Sequence, residues 1–123
     1  MDAEELVYGI LSSDQDVTAS GAQAFPGVAP IGFSGDCIVI TRSTTRPVEN
    51  ISQSGQAGVD FVTIRCACYS SNYRAANQLT KLVRAAIINA SVKARFSGKF
   101  YTYDEATRDH GMILELIVSE RLI

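Results

Sequence analysis

The residue types that most often carry chemistry are few in this chain, and they fall in two places. Cys66 and Cys68 are separated by a single residue. The only histidine, His110, lies in a polar stretch with three acidic residues, Asp104, Glu105 and Asp109. Thiolates and imidazoles are preferred zinc ligands, and carboxylates are preferred calcium ligands. Each place is therefore a candidate metal site.

Neither place has the spacing that a metal site requires. Cys66 and Cys68 have no second cysteine pair and no nearby histidine to complete a zinc site. In an alternating strand both side chains point the same way, and a buried free cysteine there behaves as a small apolar residue. The stretch around His110 matches neither a calcium loop nor a zinc signature, and its residue types are typical of a solvated hairpin tip. We therefore predict no metal ion and no cofactor.

Catalytic motifs are equally scarce. A nucleophilic enzyme would need His110 to meet a serine or cysteine through the fold, with a third group to orient it, and no local motif indicates this. The glycines of segment 21–35 lack the spacing that cradles a phosphate between a strand and a helix. We predict that the chain is not an enzyme and has no catalytic residues.

Composition favours one domain that spans residues 1–123. The chain has 123 residues, of which 46% are hydrophobic and 20% are charged, so it can bury one core without metals or disulfides. An odd number of cysteines and the absence of a secretory signal indicate an intracellular, reducing setting. The net charge of -2 argues against nucleic acid as the main ligand, and no apolar run is long enough for a membrane span.

Hydrophobic spacing predicts an α+β fold: a short amino-terminal helix, a mainly antiparallel sheet of four to five strands, and one long amphipathic helix packed on the sheet. The clearest unit is an alternating strand followed by asparagine cap chemistry and apolar residues at spacings of three and four. The predicted elements are a helix at 3–12, a turn at 13–16, a short edge strand near 23–25, strands at 37–44 and 62–69, a helix at 73–90, and a closing hairpin of 92–103, interrupted at 97–98, with 112–118.

A long polar segment separates the two middle strands. Residues 45–58 contain little to bury, which predicts a long, mobile hairpin loop at about 44–58. Long loops in compact domains are often functional, and Arg46 and Glu49 are the residues that we expect to contact a partner there. A merely tolerated insertion is the alternative.

Charges are segregated along the chain. Six acidic residues precede the first basic residue, Arg42, and no acidic residue lies between Asp60 and Asp104. Folding could pair the two sets within one subunit, or they could form opposite faces of a subunit that stacks head to tail around a ring. The outer face of the long helix carries three further candidates for partner contact, Arg74, Lys81 and Arg84, unless it is simply a solvated surface.

The order of elements resembles the tail completion, or tail terminator, proteins of long-tailed bacteriophages. The resemblance covers nearly the whole chain and depends on patterns of structure and turn residues. The matching segments are Leu11–Asp14, Ala24–Pro30, Cys37–Thr41, the long polar gap, Val62–Ser70 and Ala75–Ile88.

This resemblance implies a structural virion protein of the tail or neck, assembled in the bacterial cytoplasm. Its subunits would form a ring, a hexamer in such families, at the head-proximal end of the tail tube. The ring would stop tube polymerisation and join the tail-tube protein to the head connector or stopper, and DNA would pass through it without specific binding. A head-completion stopper is the alternative within the neck, and a host α+β enzyme subunit is the alternative outside it.

Overall fold

A computed structural model describes residues 3–27, 29, 35–47, 59–90 and 94–121 of the protein. These residues form three helices and five strands, so the predicted α+β class is confirmed. In chain order they are α1 (Ala3–Ser13), α2 (Gln15–Ala19), β1 (Gln23–Pro26), β2 (Cys37–Pro47), β3 (Val59–Ser70), α3 (Tyr73–Asn89), β4 (Ala94–Asp104) and β5 (Asp109–Arg121).

The strands form a single sheet with the order β1-β2-β3-β5-β4. All neighbouring pairs are antiparallel except β1 and β2, which are parallel. β5 inserts between β3 and β4, so the closing hairpin places β4 at one edge of the sheet while the short β1 forms the other. The predicted short strand near residues 23–25 and the closing hairpin are both confirmed.

The core lies between one face of the sheet and the helices. Alternate residues of β3 point into it, and Ile64, Cys66 and Cys68 have no exposed surface. Burial of each large aliphatic side chain contributes roughly 1.5–3 kcal/mol, so this face holds most of the fold's hydrophobic stabilisation. Besides those three residues, the core includes Val7, Leu11, Ile38, Ile40, Val62, Leu79, Val83, Ile87, Leu114, Leu116 and Val118.

Helix α3 covers the centre of that face, and its start is fixed by side-chain capping. The Asn72 side-chain oxygen accepts hydrogen bonds from the backbone N–H groups of Arg74, at 2.8 Å, and Ala75, at 3.4 Å. These satisfy donors that the first helical turn leaves without an intrahelical partner. The predicted helix at 73–90 is confirmed, with its end one residue earlier at Asn89.

The predicted turn at 13–16 is wrong, because a second short helix begins there. Asp14 caps α2: its Oδ1 accepts hydrogen bonds from the N–H groups of Asp16 and Val17, both at 3.0 Å. Val17 is buried in the core, which holds this single turn of helix against α1 and α3. Aspartate serves turns and helix caps alike, so the sequence pattern alone did not distinguish them.

The predicted loop at 45–58 also begins too early in the chain. β2 continues to Pro47, and Thr45, Arg46 and Pro47 pair with Val62, Phe61 and Asp60 of β3. A bulge between Arg42 and Thr44 shifts the register, after which the ladder with β3 resumes. Polar residues there remain in the strand because β3 supplies backbone partners. Residues 48–58, the rest of the predicted loop, lie outside the described residues.

The interruption predicted at residues 97–98 is a bulge within one continuous strand. Phe96 pairs with Leu116 and Gly98 with Glu115, so one extra residue of β4 is accommodated. Among the described helices, none is both long and apolar enough to cross a bilayer.

Candidate interaction surfaces

The sheet face opposite the helices is apolar across its centre and is covered by no helix of the described chain. Val39, Ala67, Ile113 and Phe100 stand opposite one another on β2, β3, β5 and β4. We call this line of four residues the apolar row. Val39 and Ile113 are half-buried although their neighbours in sequence are buried, and Phe100 is 47% exposed. An apolar strip of this kind is typical of a protein-contact surface.

An ion pair lies directly beside the apolar row. Arg65 Nε donates to Glu115 Oε2 at 2.9 Å, and Ser97 Oγ donates to Glu115 Oε1 at 3.0 Å. These two hydrogen bonds, that of Arg65 first, hold the pKa of the Glu115 carboxyl below its usual value. The Arg65 guanidinium carbon also lies 6.0 Å from the centre of the Phe100 ring, at the outer limit of a cation–π contact. The charge beside the row is therefore locally balanced.

A tyrosine covers a glycine at the next line of the same face. The ring of Tyr69 lies against Gly111, so that a Cβ atom added there would come within 2.8 Å of Tyr69 Cε1 and of Thr102 Cγ2. Gly111 is therefore required for this close approach of ring and backbone. The Tyr69 ring is half-buried as a result.

Edge strand β4 presents aromatic side chains on both faces of the sheet. Phe100 lies on the open face, whereas Tyr101 and Tyr103 lie on the helix side, where they are 49% and 44% exposed. Residues 100–103 carry no charge and no proline. Natural edge strands commonly use charges, prolines or bulges to prevent pairing with another chain, and this half of β4 has none of them.

The two tyrosines of the helix side belong to a cluster around His110. The Tyr101 hydroxyl is 2.7 Å from His110 Nδ1, and the ring of Tyr103 lies 4.9 Å from the imidazole, centre to centre. Tyr73, the first residue of α3, packs edge-on against Tyr101 at 5.3 Å. His110 is thus held by hydrogen bonding and aromatic packing at the end of the sheet.

No metal cluster accompanies this histidine. Within the described residues, no group of three or more histidine, cysteine or acidic side chains is placed to hold a metal ion. Cys66 and Cys68 point together into the core, as predicted, and burial raises the pKa of both thiols, that of Cys68 to about 12. They are therefore packing residues with little thiolate character near neutral pH.

The predicted contact residues of α3 are exposed, but they differ in their surroundings. Arg74 and Lys81 lie on the solvent side of the helix. Arg84 instead stacks over the Phe96 ring, with its guanidinium carbon 4.8 Å from the ring centre. Part of Arg84 therefore serves packing within the subunit, and the two other side chains are more available to a partner.

Arg46, the predicted loop contact that the structure describes, is not brought to this helix. Arg46 lies in β2 opposite Phe61, near the start of β3, whereas Arg74 follows the far end of that strand. Glu49 lies outside the described residues. The four predicted residues that the structure describes, Arg46, Arg74, Lys81 and Arg84, therefore do not form one cluster.

An ion pair joins an acidic residue of the amino-terminal helix to Arg42 within the subunit. The Arg42 Nη2 atom lies 2.7 Å from Glu4 Oε1, and this contact joins β2 to α1. Both side chains are about one-third exposed, so the pair contributes little stability in water. The pair engages one acidic and one basic group within the subunit, which leaves both less available to a neighbouring subunit.

Sequence reasoning missed the two surfaces that the fold makes most conspicuous, the apolar row and the edge of β4. The strands were predicted, but their order was not, and the order decides which strand is left at the edge. The signal available in the sequence was the uncharged aromatic run Phe100–Tyr103. No known family model matches this chain, and no curated protein matches it.

Proposed function

We propose that this chain is a structural subunit that forms a ring at the head-proximal end of a bacteriophage tail tube. There the ring would end tube polymerisation and join the tail to the head connector. The observation that supports this function best is that the subunit has two chemically different broad surfaces on opposite sides of its sheet. The order of elements resembles that of tail terminators, and this resemblance is the reason for assigning the ring to a phage tail tube.

A ring requires two unlike surfaces on every subunit, because each copy contacts its neighbours head to tail. One candidate is the open sheet face, with the apolar row and the Arg65–Glu115 pair. The other is the helix layer, where Arg74 and Lys81 are exposed. A mixed apolar and charged face is suited to a stable contact, in which apolar burial supplies affinity and charges fix the register.

The remaining surfaces would contact the neighbouring rings. In this proposal, Arg46 and Glu49 belong to the segment that reaches the tail-tube protein or the connector, and DNA passes through the channel without specific binding. The net charge of -2 is compatible with the last point, because DNA retention depends on many basic contacts. The protein would be located in the tail or neck of the virion after assembly in the bacterial cytoplasm.

The first experiment mixes the purified chain with tail-tube protein and, separately, with connector protein from the same genome. We expect a ring that binds only the ends of tubes and limits their length, as seen by electron microscopy and by light scattering after size exclusion. A chain that ignores tube ends at every concentration would contradict the proposal. Binding to the connector without the tube would instead indicate a stopper.

A second experiment tests the polar segment. Replacing residues 48–58 by two residues leaves, with Val59, a three-residue loop between the paired residues Pro47 and Asp60, and short hairpin loops suit antiparallel neighbours. Because the removed sequence is mostly polar, we expect thermal unfolding to change little while joining of tails to heads is lost. Loss of the fold would show that this segment contributes to the core.

A further inference from the structure

The two edges of the sheet are unequal. β1 has four residues and ends in Pro26, which has no N–H to donate. β4 has eleven residues, from Ala94 to Asp104, and only its β5 side is paired among the described strands. β4 is therefore the edge that offers a long run of backbone donors and acceptors to another strand.

We propose that β4 pairs with β4 of a second copy, antiparallel and about a two-fold axis at Phe100. The two five-stranded sheets would then form one continuous sheet of ten strands. A two-fold contact uses the same patch on both subunits, so each residue on one side has a defined partner on the other. The register follows from which residues of β4 share a face.

The pairing of β4 with β5 has ten positions, the first of which is Ala94 opposite Val118. Nine of them run from Arg95, opposite Ile117, to Asp104, opposite Asp109. Ser97 and Gly98 share the position opposite Glu115, because of the bulge. Counted in this way, Phe100, opposite Ile113, is the middle position. An axis through Phe100 therefore overlaps the two strands over the whole of this length.

Every pair in this register lies on one face of the sheet, as antiparallel neighbours must. On the open face, Arg95 meets Asp104 of the second copy, and Phe100 meets Phe100. On the helix side, Phe96 meets Tyr103, and Lys99 meets Tyr101. The bulge at Ser97 and Gly98 of each copy then lies opposite Thr102 of the other copy.

Charge and apolar complementarity both favour a second copy as the occupant. The two-fold axis gives two Arg95–Asp104 contacts, and cross-strand pairs of opposite charge or of aromatic rings stabilise a ladder. On the open face, the apolar row meets its own counterpart at Phe100, so one apolar line of eight residues would cross the joined sheet. An unrelated strand would lack this match on both faces at once.

This contact goes beyond the proposed function and does not depend on it. A two-fold contact closes at two copies, whereas a polar ring needs contacts that repeat head to tail. The pairing would hold the free subunits as dimers, with both broad surfaces left outside the contact. It would also cover the edge strand that could otherwise pair with other chains.

Disulfide trapping tests the register directly. Directly opposite residues have Cα atoms about 4.5–5.5 Å apart, within reach of a disulfide. We expect Phe100→Cys to give a covalent dimer under mild oxidation. Thr102→Cys is the matched control: it is on the same face, but its counterpart lies four positions away, roughly 13 Å, so it should remain uncoupled. The native cysteines, Cys37, Cys66 and Cys68, are buried and contribute little background.

Charge reversal supplies a second test that does not alter Phe100. Arg95→Asp places two acids opposite one another in the dimer, and Asp104→Arg places two bases there. Each variant alone should dimerise about tenfold more weakly, whereas a mixture of the two should form a one-to-one heterodimer because both contacts are again complementary. Asp104→Asn is the control for the hydrogen bond that Asp104 accepts from the Ala106 N–H.

These measurements separate this inference from the proposed ring. Dimers trapped at residue 100, together with recovery of affinity in the mixture, would establish the edge contact whether or not rings form. A ring in which Phe100→Cys does not cross-link would overturn the edge contact and leave the proposed function standing. A chain that sediments as a monomer at all concentrations would overturn both the edge contact and the proposed ring. Circular dichroism verifies that each variant is folded.

Discussion

The two faces of the sheet are made by alternate residues of the same strands, yet they differ in what covers them. On the helix side, Ile64 and Leu116 are completely buried. On the open side, Val39, Ile113 and Ile117 keep part of their surface in water. The difference shows that apolar residues in this chain serve two purposes, since one set holds the fold and the other remains available for contact.

The largest expected effect is the loss of the fold when the covered face is charged. Ile64→Asp would place a carboxylate without a partner in the centre of the core, which costs more than about 4 kcal/mol. We expect circular dichroism to show an unfolded chain at room temperature.

Ile113→Asp is the matched control on the open face. Because Ile113 is only half-buried, its replacement should leave a folded subunit and weaken assembly. Equal loss of structure in both variants would remove the distinction between the two faces.

A smaller effect is expected where Tyr69 lies on Gly111. Gly111→Ala would bring a methyl group within 2.8 Å of the ring, and the adjustment should lower the free energy of unfolding by roughly 1–3 kcal/mol. Urea unfolding measures this change. Gly9→Ala in α1, where an added Cβ meets nothing within 4 Å, is the control and should be neutral or stabilising.

The attachment of α3 to the covered face depends on its cap. Asn72→Ala removes the acceptor for two backbone N–H groups and should cost about 0.5–2 kcal/mol in thermal unfolding. Asn72→Ser, which keeps a side-chain oxygen, should retain most of the stability. Equal destabilisation by both changes would show that Asn72 acts through some other contact.

The smallest effect concerns the ion pair on the open face. Glu115→Gln should lower stability at neutral pH by less than about 1 kcal/mol, because Arg65 is nearly half-exposed and water screens the pair. The folded pKa of Glu115 lies below its unfolded value. Its contribution is therefore complete above the unfolded pKa of about 4.3 and is lost as the pH falls through the folded pKa.

Urea unfolding at several pH values tests the direction of this pH dependence of stability. The difference between the native chain and Glu115→Gln should disappear at acid pH. Glu105→Gln in the exposed hairpin turn is the control for the loss of one acidic charge and should change the free energy of unfolding at neutral pH by less than about 0.5 kcal/mol. A difference that grows as the pH falls would contradict the assignment of Arg65 as the stabilising partner.

The elements that sequence reasoning predicted best have strong local signals. The alternation around Ile64 and the cap at Asn72 are each contained in a few residues, and both are present as expected. The turn predicted before Val17 was wrong because aspartate chemistry is shared by turns and caps. β2 was predicted too short because its last residues are polar, and only pairing with β3 keeps them in the sheet.

The candidate surfaces could be predicted only in part. The basic residues on the solvent side of α3 followed from helical periodicity, and Arg74 and Lys81 are exposed as expected. The stacking of Arg84 on Phe96 joins residues from different elements, so no local pattern could indicate it. The position of β4 at the edge of the sheet could not be predicted either, because the sequence does not show that β5 lies between β3 and β4.

Local sequence patterns were enough to predict the α+β class, most of the helices and strands, and which residues of β3 face the core. Those features depend on periodicity and capping, which act over a few neighbouring residues. Only the folded chain shows the strand order, the open face with its apolar row, and the side of β4 that pairs with no described strand. Those features depend on contacts between distant segments, as in the meeting of Phe100 with Ile113, and such contacts form only when the sheet is assembled.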